Sequence, residues 1–173
     1  GKGSIYHLQG LGLKIPDEFK ISAAYALSHK FNDIVVHSGG FLDEDSIQQA
    51  TDLNYEAKKI DIQLDKTPSN KIFSKKILQN INRLVHSFEI QQADVLLEIF
   101  DSINKLELQI DISEAQNIYF SKIYHKIGDI IESGTATKRS SNKKFIEMLL
   151  EIGENLNINT EFYRKKLDKL LLQ

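Results

Sequence analysis

From Phe19 onward, apolar residues recur three and four positions apart, the spacing of one face of a helix. Phe19, Ala23, Ala26, Leu27, Ile34 and Val35 form the first stripe. Pro16 opens it, since the first turn of a helix has no use for the missing N–H, and Ser38-Gly39-Gly40 stops it. A thinner stripe of Ile47, Ala50, Leu53 and Ala57 predicts a second helix over 43–59. The clearest stripe holds Ile72, Phe73, Ile77, Ile81, Leu84, Val85 and Phe88, behind the hydroxyl cap and proline of Thr67-Pro68. Ala93, Leu96, Leu97, Phe100 and Ile103 predict a fourth helix over 91–106. Ala115, Ile118, Tyr119, Ile123, Ile127, Ile130 and Ile131 predict a fifth, with Ser113 and Gln116 as a capping box and Ser133-Gly134 as its stop. Phe145, Met148, Leu149, Ile152 and Leu156 mark a sixth, and Tyr163, Leu167, Leu170 and Leu171 a seventh capped by Thr160. Residues 134–142 are polar, basic and unpatterned, and predict a mobile loop.

Two short stretches break the helical spacing. Ile60-Asp61-Ile62-Gln63-Leu64-Asp65 and Leu106-Glu107-Leu108-Gln109-Ile110-Asp111 alternate apolar and polar residues and align without a gap. Each leads into a hydroxyl residue and a new helix. Thr67 to Ser113 spans 46 residues, and Ser113 to Thr160 spans 47, with Leu156-Asn157-Ile158-Asn159 as a weaker third copy. The period is that of a repeated helical hairpin. The extended stretches are expected to dock their Ile and Leu side chains on the core as the chain turns. The prediction is one all-α domain over 1–173, of about seven helices with short extended connectors. Two arrangements fit: a compact bundle and a short array of stacked hairpins.

Composition narrows the functional classes. There is no cysteine, which excludes a disulfide framework and thiolate chemistry. Net charge is −2, without the basic surplus of a nucleic-acid module. The basic pairs Lys58-Lys59, Lys75-Lys76, Lys138-Arg139 and Lys143-Lys144, and the triplet Arg164-Lys165-Lys166, read as solvated helix faces. No apolar run is long enough to span a bilayer. No signal peptide opens the chain, so a cytoplasmic location is expected, and the start at Gly1 in place of Met predicts a fragment of a longer protein.

Candidate chemistry is sparse. His7, His29, His37, His86 and His125 include no pair at ligand spacing on one helix, and His125, the natural acid–base candidate, has no evident partner. Asp43-Glu44-Asp45 sits where a helix begins, and the positive end of that helix accounts for it. No phosphate-binding glycine loop and no nucleophile elbow occurs. Catalytic, cofactor-binding and metal residues are therefore all assigned as none. Phe19, Phe73, Phe100 and Phe145 are expected in the core, and Tyr25, Tyr55, Tyr119, Tyr124 and Tyr163 partly at the surface.

The string Ser113-Glu114-Ala115-Gln116-Asn117-Ile118-Tyr119-Phe120, after its Leu-x-Leu-x-Ile run, resembles the helical region C-terminal to the barrel in some family-57 glycoside hydrolases, the α-amylase/α-mannosidase-like group. Ile15-Pro16-Asp17-Glu18-Phe19 and the stretch from Phe145 to Leu156 are similar in style. Ile112 departs from the resemblance, standing where a larger aromatic is expected. The resemblance implies a non-catalytic accessory domain of a carbohydrate-active enzyme, whose partner is the N-terminal catalytic domain of the same chain. The 46-residue spacing supports a different expectation, a free-standing helical-repeat scaffold for another protein. Neither needs nucleic acid, a membrane or a cofactor.

Overall fold

The structure is a computed structural model that describes Gly12, residues 14–133 and residues 136–171, without the side chains of 136–141 and 170–171. Among the described residues the regular elements are all helices and there is no strand. They run α1 (Asp17–Ser38), α2 (Glu44–Lys59), α3 (Thr67–His86), α4 (Ile90–Lys105), α5 (Ser113–Lys122), α6 (Tyr124–Glu132), α7 (Ala136–Asn155) and α8 (Glu161–Leu171). The all-α prediction holds, and two boundaries change. The predicted fifth helix is two, α5 and α6, parted at Ile123 (φ −110°, ψ −45°) with no proline or glycine at the break. The predicted loop over 134–142 is helical from Ala136 onward, because none of its polar residues breaks a helix. Gly134 and Thr135 lie outside the described residues.

The chain divides into two compact units: Gly1–Phe73 with Ser102–Gln109, and Ser74–Asp101 with Ile110–Gln173. In the first, α1 packs against α2. Ile15, Leu27, Ala57 and Ile60 form its core cluster, with Ala23, Leu53, Ile62 and Leu64 against them. In the second, α6 packs against α7 and α8. Tyr119, Ile123, Ile127, Ile131, Ile146, Leu149, Leu150 and Ile152 are buried there. Burying a side chain of this size stabilises by roughly 1.5–3 kcal/mol, so each unit has a hydrophobic centre of its own.

One joint recurs. α2, α4 and α7 each end on a residue in the left-handed region: Asp61 (φ 56°), Glu107 (φ 56°) and Asn157 (φ 58°). At each, the N–H of the next residue donates back five positions: Ile62 to Ala57 O (3.0 Å), Leu108 to Ile103 O (3.0 Å) and Ile158 to Gly153 O (2.9 Å). The left-handed residue donates back three: Asp61 to Lys58 O (3.2 Å), Glu107 to Asn104 O (3.2 Å) and Asn157 to Glu154 O (3.0 Å). This pair of bonds satisfies the carbonyls a helix end leaves open, and glycine is its usual residue. Among the described residues, glycine makes it at the end of α1, where Gly39 has φ 60°.

Helix entry recurs too. Asp65, Asp111 and Asn159 each accept, on Oδ1, the N–H two residues on, from Thr67, Ser113 and Glu161, all at 3.0 Å. The expected caps therefore shift upstream. Thr67 and Ser113 donate their hydroxyls to the same carboxylates (2.6 and 2.8 Å), because a carboxylate is the stronger acceptor. The capping box of Ser113 and Gln116 does not form, since Gln116 Nε2 donates to Leu156 O instead (2.7 Å). Thr160 turns its hydroxyl to Glu154 (3.0 Å). Ser28 Oγ accepts from Asp65 N (2.9 Å), and 46 residues on Ser74 Oγ accepts from Asp111 N (3.0 Å). The connectors dock as expected, with Ile60, Leu106, Leu108 and Leu156 buried.

Candidate functional site

The residues the sequence offered for chemistry lie apart. His125 is exposed, with its ring 6.3 Å from that of Phe120 and 6.1 Å from that of Tyr124. His29 lies 3.7 Å from Asp33 one turn on. His7 is outside the described residues. Asp43 accepts from Ser46 N (2.8 Å) at the start of α2, and that bond, with the Ser46 hydroxyl, holds its carboxyl below the usual range. Among the described residues no three His, Asp or Glu side chains converge as a metal site would require. No described helix is long and apolar enough to cross a membrane.

Burial corrects several residues. Phe19 is 48% exposed, on the flank of α1, while Phe31, which the stripe left out, is fully buried. Tyr119 and Tyr163 are buried, not at the surface. Tyr119 donates to Leu149 O (2.7 Å), and burial pushes its hydroxyl far above the usual phenol range. Lys76 is buried too, unlike a solvated face, and burial lowers its ammonium. Arg164, Lys165 and Lys166 face Glu154, Glu161 and Glu132 in ion pairs, as surface charges do.

In the first unit, two lysines, a glutamate and several amide side chains converge on a cavity. A cleft of about 280 Å³ is lined by Asn54, Lys58, Lys66, Asn70, Glu107 and Gln109, with Ala57, Ile62, Gln63 and Leu64 completing the wall. Its floor is the joint at Glu107. Lys66 Nζ donates to Leu106 O (2.9 Å) and Glu107 O (3.2 Å), and Asn54 Nδ2 also donates to Leu106 O (3.0 Å). The same ammonium lies 4.9 Å from the ring centre of Phe31. Lys58 Nζ donates to Glu107 Oε1 at 2.5 Å, which holds the Glu107 carboxyl below its usual range, the charges of Lys58 and Lys66 adding to this against burial. Burial pushes Lys66 below its usual range, with Glu107 opposing and Lys58 reinforcing. Asn70 Oδ1 accepts from Gln109 N (3.0 Å).

Sequence reasoning missed this cluster, although one signal pointed to it. Lys66 stands 46 residues before Ile112, so a charge occupies a position that is apolar in the next copy. Asn54 and Lys58 correspond to Phe100 and Asn104 by the same register. The string resembling glycoside hydrolases serves the fold: Ala115 and Tyr119 are buried, and Gln116 satisfies the Leu156 carbonyl. No family model, curated protein or solved structure matches the chain.

Proposed function

We propose that the chain is a helical-repeat module that works by binding another protein. The supporting observation is the recurrence of one joint, with left-handed caps at Asp61, Glu107 and Asn157, each leading through an Asx acceptor into the next helix. Repeats of this kind bury one face of each hairpin against its neighbours and leave the other available to a partner. On α1, Ile21, Tyr25 and Val36 share one exposed flank, and Phe120 and Phe162 are exposed in the second unit. Apolar side chains of this size in the open are what a protein partner covers. The test is a photo-crosslinking residue placed in turn at Tyr25, Phe120 and Phe162 in cells, with buried Phe73 as control. One discrete protein adduct from an exposed position and none from Phe73 is expected. No adduct from any exposed position would defeat the assignment.

The resemblance of residues 113–120 supports a second reading, an accessory domain packed on the catalytic domain of a carbohydrate-active enzyme. In that case the adduct is internal to a longer chain, and that chain degrades α-glucan. An adduct to a separate polypeptide, with no glucan-degrading activity, decides for the first.

A further inference from the structure

The geometry points to the cleft between Lys58, Lys66, Asn70 and Gln109 as a binding site for carboxylate groups, presented by an acidic peptide segment of the partner. This rests on the reading of the chain as a protein-binding module, and names what the partner offers.

The repeat supplies an internal control for what the fold itself needs. At the joint of Asn157, the carbonyl of Leu156 is satisfied by the neutral amide of Gln116 (2.7 Å). At the joint of Glu107, the equivalent carbonyl of Leu106 takes Asn54 and an ammonium (3.0 and 2.9 Å). Closing such a joint therefore requires neither Lys58 nor Lys66. Ile112 and Asn104 hold their positions in the next copy. A half-buried ammonium costs desolvation that an amide donor avoids, and Lys66 is held below its usual range for that reason. What the lysine adds is charge at a cavity wall.

The donors suit a carboxylate. Lys66 places two of its protons on carbonyls and lies 4.9 Å from the Phe31 ring, so what it brings to the cleft is its charge, while Lys58 brings an ammonium at the exposed side. Asn70 engages its Oδ1 with Gln109 N, so its Nδ2 remains a donor to the cleft. Two lysines against Glu107 leave a net positive charge. The Lys58–Glu107 pair is about half exposed, and exposed pairs are weak enough to be shared or exchanged. A carboxylate entering beside Lys58 competes with Glu107 for the same ammonium. Glu107 thus gates the site by charge. The volume of about 280 Å³ accommodates one acidic side chain or chain terminus, not a folded surface.

The experiment is calorimetric titration of the full chain with a ten-residue Asp/Ser peptide, the same peptide with Asn for Asp, and inorganic phosphate. The acidic peptide is expected to bind about tenfold tighter than the Asn form, with affinity falling as salt rises. Lys58→Met and Lys66→Met each weaken it about tenfold. Lys66→Met also removes a joint donor, so its fold is checked by circular dichroism, and Lys58→Met alone suffices if it unfolds. Glu107→Gln is expected to tighten binding severalfold, which a merely structural role for these residues would not produce. Equal binding of the two peptides, an unchanged affinity in Lys58→Met, or a weaker affinity in Glu107→Gln would overturn the assignment. So would phosphate binding that the acidic peptide does not displace. Such a failure alongside a crosslinked partner leaves the module intact and removes only this site.

Discussion

A single residue carries each joint. A left-handed backbone costs an ordinary L-residue about 1–2 kcal/mol, less for asparagine and aspartate, and is most costly for β-branched side chains. Asn157→Val is therefore expected to lower stability by about 1–2 kcal/mol, read by urea denaturation, while Asn157→Gly holds or raises it. Equal stability of the two would mean that the backbone there does not carry the strain. Close packing sets a second residue-level constraint. A Cβ on Gly153 would lie 2.5 Å from Tyr119 Oη, and one on Gly128 2.7 Å from Tyr163 Oη. Gly153→Ala gains helix propensity, yet overpacking of this kind costs about 1–3 kcal/mol. Adding Tyr119→Phe should recover part of that loss, giving a favourable coupling in a double-mutant cycle. Neither glycine was legible as a packing site, because the tyrosines that require them are 34 and 35 residues away. Phe31 was missed for a simpler reason: it falls one turn after Leu27, on the inward face, but was read as outside the stripe.

The helices themselves were legible wherever the apolar spacing was dense, as in α3 and α4. Polar helices without a stripe were not, and the start of α7 was read as loop on that account. Helix entry was half legible. Hydroxyl residues marked the right place, but the acceptor is the Asx residue two positions earlier. Losing that acceptor in Asp111→Ala is expected to destabilise the entry to α5, measurable as a lower melting temperature. Asp43, Asp65 and Asp111 all have carboxyls held below their usual range by Ser46, Thr67 and Ser113. Groups lowered in the folded state stabilise it above their unfolded value and lose that effect as pH falls through the folded one. Stability to urea should thus be level from neutral pH down to about pH 5 and fall from about pH 4 downward. In Asp65→Asn/Asp111→Asn that fall should be shallower.

Across the whole molecule, α3 and α4 each supply residues to both compact units. Unfolding one unit must fray helices the other depends on. A single transition is expected, with far-UV circular dichroism and hydrogen exchange of buried amides in Ala50–Ala57 and Ile77–Leu84 reporting one free energy. Two resolved transitions would mean that α3 parts near Phe73. The repeat was visible in the sequence as a 46-residue spacing, whereas the charged cleft was not. It draws on residues from α2, the connector after it, α3 and the connector after α4, and only Lys66, standing where the next copy has the apolar Ile112, hinted at it.

The joint after α2 and the joint after α4 share the same bonds and the same 46-residue offset, down to Ser28 and Ser74. The stretch 61–106 therefore begins and ends on compatible halves of one splice. Genes encoding it in tandem should yield polypeptides whose successive copies seal onto one another, so that length becomes a quantity an engineer can dial.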